Sequence, residues 1–335
     1  MISEDKHHFY DIVATVQGKL DQLPANSIVR QCFSESRLEK ILKKIVDTNY
    51  KDLEWGSWQP FFLFLNLSDI HKIKSLESDL QIVIGNTRQN NAKVCEFLRD
   101  EREVDSSWIA GLFEIYIKAT LLRNNIVSVD SLDWELPNNR EVDIRAKLGQ
   151  RPFSLECTTL GENDAANERW EEHCNILKQK PNKSFVESQD AYSPGRRLYG
   201  KIYDKIAPGL NPAMSQLPSD STNLLLIGLS SVVTDLRPSS PSIGWALDEL
   251  FSIQPTGNAS SISLESYLRH QLRYSTASLD ELLSAPTQIS GVLLFNGCKL
   301  GHARINYHAK KDFLISHGEM AIIETIFSKP PIYWH

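Results

Sequence analysis

The chain has 335 residues, 41% of them apolar and 23% charged, with a net charge of −6. That is length enough for a full-sized core and for two domains. The acidic balance argues against nucleic-acid binding through an overall field, so any such contact must come from a local basic stripe.

No run approaches the roughly 18 unbroken apolar residues that a membrane span requires, and PFFLFLNL at 60–67 falls far short. The opening MISEDKHHFY is polar, without an apolar signal segment. The five cysteines, Cys32, Cys95, Cys157, Cys174 and Cys298, form no CxxC pair, so neither a disulfide framework nor a zinc ribbon is expected. These features predict a cytoplasmic protein with reduced thiols and no membrane association.

Residues 1–104 predict a helical N-terminal domain. FYDIVATVQGKL (9–20) and LEKILKKIVD (38–47) repeat apolar residues at spacings of three and four, and neither carries a chemical motif. From 105 to 335 the pattern changes to helices mixed with strands. SSWIAGLFEIYIKATLLRNN (106–125) predicts a helix, and IVSVDSLDWEL (126–136) an extended segment. REVDIRAKLGQRPFSLECTTL (140–160) reads as two strands joined by a turn at Gly149-Gln150. Helices are predicted over 166–180 and 195–207, the second stopped by Pro208-Gly209. TNLLLIGLSSVV (222–233) and ISGVLLFNG (289–297) are apolar runs of the buried-strand type, and 303–309 is expected to pair with the latter. Pro, Ser, Gly and Asn mark 236–244 and 252–263 as loops. The sum is an α/β (α+β) domain with a mixed central sheet flanked by helices.

The hairpin carries the chemistry. On one strand Val142, Ile144, Ala146 and Leu148 share a face, opposite Asp143, Arg145 and Lys147; on the next, Phe153, Leu155 and Cys157 oppose Ser154, Glu156 and Thr158. A two-residue turn pairs Leu148 with Arg151, and the same register sets Asp143 directly opposite Glu156 on one face. Opposed residues have Cβ atoms about 4.5–5.5 Å apart, where like charges repel. Two carboxylates at that spacing call for a shared proton or a cation between them, and a hard divalent ion with oxygen ligands meets the need. Glu114, in GLFEIYIKA, falls outside the apolar arc of its helix and stands four residues before Lys118, in the favourable order for an ion pair on the polar side.

A helix with Glu114, a strand with Asp143, a turn and a strand with Glu156 together resemble the PD-(D/E)XK nuclease superfamily, over residues 105–300. The resemblance implies a restriction-endonuclease-like fold and magnesium- or manganese-dependent hydrolysis of a phosphodiester in DNA or RNA. It implies Asp143 and Glu156 as metal ligands, with Glu114 reaching the same site, and a metal that activates water. One position departs. Where the pattern ends in lysine this chain has Thr158, whose hydroxyl hydrogen-bonds but brings no charge. The helix GRRLYGKIYDKIA offers a replacement, with Arg197, Lys201 and Lys205 in one stripe beside an apolar stripe of Leu198, Ile202 and Ile206. Lys201 is the first choice, Lys205 the next and Arg145 the third, with Arg196, Arg197 and Lys205 as contacts to substrate phosphates.

The histidines form no HExxH, and no GxGxxG, GxxxxGK[ST] or GxSxG occurs, which argues against zinc-hydrolase, dinucleotide, P-loop and serine-hydrolase chemistry. The expected function is therefore a magnesium-dependent nuclease acting on nucleic acid. The alternative is a nuclease-like binding or regulatory module without catalysis, favoured by the missing lysine and the acidic charge.

Overall fold

The computed structural model describes residues 2–47, 60–87, 89, 91–99, 105–160, 194–229, 238–251, 264–271 and 277–334. The chain divides into two compact units, residues 1–119 with 331–335, and residues 120–330. The predicted helix 166–180, which includes Cys174, and the predicted loop 252–263 lie outside the described residues.

The first unit is helical, as its periodicity predicts. In the helix Ile2–Leu20 the buried positions Ile12, Val16 and Leu20 fall four apart. In the helix Ile70–Asn86, Ile73, Leu76, Leu80 and Val83 make the buried stripe, and Asp69 caps the start by accepting from the Lys72 amide at 2.9 Å. Glu77 on that helix is buried because it caps a second one. Its carboxylate accepts from Ser27 Oγ and from the Ile28 and Val29 amides, the orphan donors at the start of the helix Ile28–Cys32. PFFLFLNL forms the helix Pro60–Leu67. Among the described residues no helix is long and apolar enough to cross a membrane.

Among the described residues the second unit is built on one mixed sheet of six strands: β1 (Val127–Glu135), β2 (Glu141–Leu148), β3 (Arg151–Leu160), β4 (Thr222–Leu229), β5 (Gly291–Asn296) and β6 (Lys299–Ile305), in that spatial order. β1 to β3 form an antiparallel meander, β3, β4 and β5 run parallel, and β6 returns antiparallel. All eight residues of β4 are buried, as a central parallel strand covered on both faces requires. One face, carrying Leu225, Ile227, Val292 and Leu294, packs on the helix Pro194–Ile206 through Leu198, Ile202 and Ile206, joined by Ile243 and Leu247 of the helix Pro241–Leu250. On the other, Phe295 meets Phe327 edge to face at 5.7 Å.

The β2–β3 turn has the expected form. Gly149 sits at φ +61°, and Gln150 is absent from the positive-φ residues, which is the II′ pattern. Two expectations change. Residues 241–244 open a helix instead of continuing a loop, because Pro241 at the first helical position lacks the amide that would be orphaned there. The last strand runs from Lys299 to Ile305 rather than to 309, and pairs with β5. The strand predicted over 222–233 is described as far as Leu229.

Candidate active site

The register predicted for the hairpin is the one observed. Ile144 pairs with Leu155, Arg145 with Ser154 and Leu148 with Arg151, a run that extended by one step opposes Asp143 and Glu156. The two acids are tied through backbone as well. Glu156 Oε2 accepts from the Asp143 amide at 3.2 Å, and Asp143 Oδ2 accepts from the Cys157 amide at 2.6 Å.

The face that reads as polar in the sequence is not a solvent face. Ser154 is 0% exposed, Glu156 1% and Thr158 9%. The parallel pairing of β3 with β4 aligns Glu156 with Leu225 and Thr158 with Ile227, on the face that the helix Pro194–Ile206 covers. A carboxylate that deep requires a partner, and the covering helix supplies it. Lys205 Nζ lies 2.6 Å from Glu156 Oε1. Burial pushes the Lys205 ammonium toward its neutral form. The carboxylates of Glu156 and Asp143 outweigh that and hold its pKa above the ordinary lysine value.

The cation beside Glu156 is therefore Lys205, the second choice from sequence. Lys201, one turn earlier, is half-buried; burial and the Lys205 ammonium lower its pKa, against the opposing pull of Asp204. Arg145, the third choice, is engaged elsewhere: it pairs with Asp220 at 2.9 Å, with its guanidinium over the Trp134 ring at 4.9 Å. Arg196 and Arg197 lie at the start of the same helix, roughly two turns from Lys205, and both are half-buried. In the first unit, Glu114 pairs with Lys118 at 2.5 Å. That pairing is the i,i+4 contact expected, with one correction: Lys118 is 2% exposed, so only the Glu114 end of the pair, whose side chain is 42% exposed, is solvated.

One acid escaped the sequence reading. Asp133 of β1 is half-buried, and its carboxylate and that of Asp143 have oxygens within 4.8 Å of one another. The β1–β2 register pairs Leu132 with Ile144 and Trp134 with Val142, so the intervening positions Asp133 and Asp143 oppose each other. Asp133 stands at φ +53°, a left-handed conformation that aspartate tolerates better than most residues. The signal was available in the short connection Leu136–Arg140: the Leu136 amide donates to the Arg140 carbonyl, which fixes the same pairing.

The second unit thus sets the Asp133 and Asp143 carboxylates beside each other and ties Asp143 through backbone to Glu156, which the Lys205 ammonium neutralises. Such a group can hold a hard cation, orient a water or hold a phosphate oxygen against the ammonium. No protein-family model matches the chain, and no curated protein or solved structure does either.

Proposed function

We propose that the second unit is a metal-dependent phosphodiester hydrolase of the PD-(D/E)XK, restriction-endonuclease-like kind, acting on DNA or RNA. The observation that carries this reading is the tie between half-buried Asp143 and buried Glu156 across the hairpin, with the Lys205 ammonium 2.6 Å from Glu156. Support also comes from the element order: a helix precedes an Asp-bearing strand, a tight turn and a Glu-bearing strand within a mixed sheet.

The donor chemistry fits magnesium or manganese. Asp133 and Asp143 offer carboxylate oxygens within 4.8 Å of each other, and Glu156 on the neighbouring strand accepts from the Asp143 amide. Asp143 and Asp133 would hold the ion, with Glu156 the further ligand that the resemblance implies. When bound, it lowers the pKa of a coordinated water and offsets charge on the phosphate. The protein's own groups do the rest. Lys205 supplies the positive charge that the resemblance assigns to the Thr158 position, and the Thr158 hydroxyl is left to hydrogen-bond. Lys201, Arg196 and Arg197 extend the positive stripe toward neighbouring phosphates. Glu114 retains the role implied by the motif order, to be tested by its own variant.

The test is cleavage of mixed single- and double-stranded DNA and RNA with magnesium or manganese. Wild type is compared with Asp143→Asn, Glu156→Gln and Glu114→Gln. Activity in wild type and a loss of about 100-fold or more in the first two support the reading, since each removes a metal ligand. Equal activity in all of them refutes it. One observation favours a second reading, a binding or regulatory module without catalysis: both Glu156 oxygens are engaged, by Lys205 and by the Asp143 amide. Retained nucleic-acid binding without cleavage in any metal decides for that module.

A further inference from the structure

Lys205 makes an ion pair with a carboxylate that the proposed metal would need. Glu156 is 1% exposed, and Lys205 Nζ lies 2.6 Å from its Oε1. The amide of Asp143 occupies the other oxygen. A divalent ion bound between Asp143 and Glu156 would stand against an ammonium already engaged with the same carboxylate. Two cations cannot both stand at contact distance from that carboxylate without strong repulsion. The lysine is the more mobile of the two. Its side chain is 19% exposed, and its four-carbon stem has many rotamers.

We propose that Lys205 is the resident counter-ion of the metal-free site, and that a divalent metal binds by displacing its ammonium from Glu156. This rests on the metal-dependent reading above and gives Lys205 two positions. Without metal it neutralises the buried acids and keeps the site ordered. With metal it is released from Glu156 and faces the phosphate, so charge compensation passes from lysine to metal without an interval in which Glu156 is buried and unpaired. The affinity for metal is thereby set weaker than the carboxylates alone would give.

Manganese binding, followed by the electron paramagnetic resonance of the free ion, tests this on the full chain without reference to activity. The variants are Lys205→Met, Lys205→Gln and Lys201→Met. Gln keeps a hydrogen bond to Glu156 while removing the charge, so the test survives if the Met variant fails to fold. Both Lys205 variants should bind manganese about tenfold tighter than wild type, the equivalent of one charge-assisted hydrogen bond that no longer has to be broken. Adding Asp143→Asn to Lys205→Gln should abolish the gain, which locates the ion at this site. Lys201→Met removes an equal charge one turn away and should tighten binding far less. Unchanged or weaker binding in the folded Lys205 variants overturns the displacement, as does an equal gain in Lys201→Met, which would make the effect one of general charge. Absence of manganese binding in wild type and all variants overturns the metal-dependent reading itself.

Discussion

Replacing Lys205 by methionine isolates the interaction on which the site rests. The methionine side chain fills a similar volume but leaves Glu156, 1% exposed, without its 2.6 Å partner. Removing one member of a buried ion pair costs about 3–5 kcal/mol, because the other charge stays buried. The Lys205 side chain is 19% exposed, so water can partly replace it, which sets the expectation at the lower end, about 3 kcal/mol. Urea unfolding at neutral pH should report that loss as a shift in midpoint with little change in slope. Lys205→Met with Glu156→Met should recover most of it, since replacing both partners of a buried pair by apolar groups is often neutral. The pH dependence follows from the raised Lys205 pKa. A lysine whose folded pKa lies above its unfolded value of about 10.4 contributes stability fully below that value and loses it as pH rises through the folded pKa. The gap between wild type and Lys205→Met should therefore hold from neutral pH to about 10 and close above it. A cost below about 1 kcal/mol, typical of a solvated pair, would refute the reasoning.

Two further predictions concern the framework. Gly149→Ala meets no atom within 4 Å of the added carbon, so its cost is the left-handed backbone at φ +61° alone. The variant should lose about 1 kcal/mol, or roughly 2–4 °C in the melting temperature of a domain this size, and a loss several times larger would point to a changed turn. Glu77→Gln turns an acceptor toward the Ser27 hydroxyl and the Ile28 and Val29 amides into a donor at one end. It should cost about 2–3 kcal/mol in urea unfolding, and a neutral result would mean the cap is dispensable.

The hairpin was legible because period-two alternation and a glycine-containing turn are local, and together they determine which residues oppose. The fate of its polar face was not. Ser154, Glu156 and Thr158 alternate with Phe153, Leu155 and Cys157 as on a strand with one wet side, yet the helix Pro194–Ile206 covers that side. Whether a helix lies there depends on where residues 194–206 pack, which no local spacing encodes. The same holds for the choice between Lys201 and Lys205. Both sit in one stripe, and the point at which the helix crosses β3 decides which reaches Glu156. Asp133 needed a second register, obtainable from the connection at Leu136–Arg140 once its turn is recognised. Pro241 read as a loop residue because proline marks both loops and helix starts; the apolar positions Ile243, Ala246, Leu247 and Leu250 distinguish the two.

Lys201 and Lys205 differ in a way that separates a structural from a chemical role. The Lys201 pKa is lowered, chiefly by burial and then by the Lys205 ammonium, against Asp204. A lysine with a folded pKa below its unfolded value of about 10.4 contributes its full stability above that value and loses it as pH falls through the folded one. At neutral pH Lys201 is thus a cost, and Lys201→Met should be slightly more stable than wild type, with the difference vanishing by about pH 10.5. Lys205→Met moves the other way at neutral pH. In cleavage, Lys201→Met removes a contact to a flanking phosphate and should weaken KM more than kcat, whereas Lys205→Met should lower kcat by about 100-fold or more. A Lys201→Met variant that is more stable but loses kcat as heavily as Lys205→Met would make Lys201 the cation that acts on the substrate, and would leave Lys205 as the clamp that holds Glu156 in place.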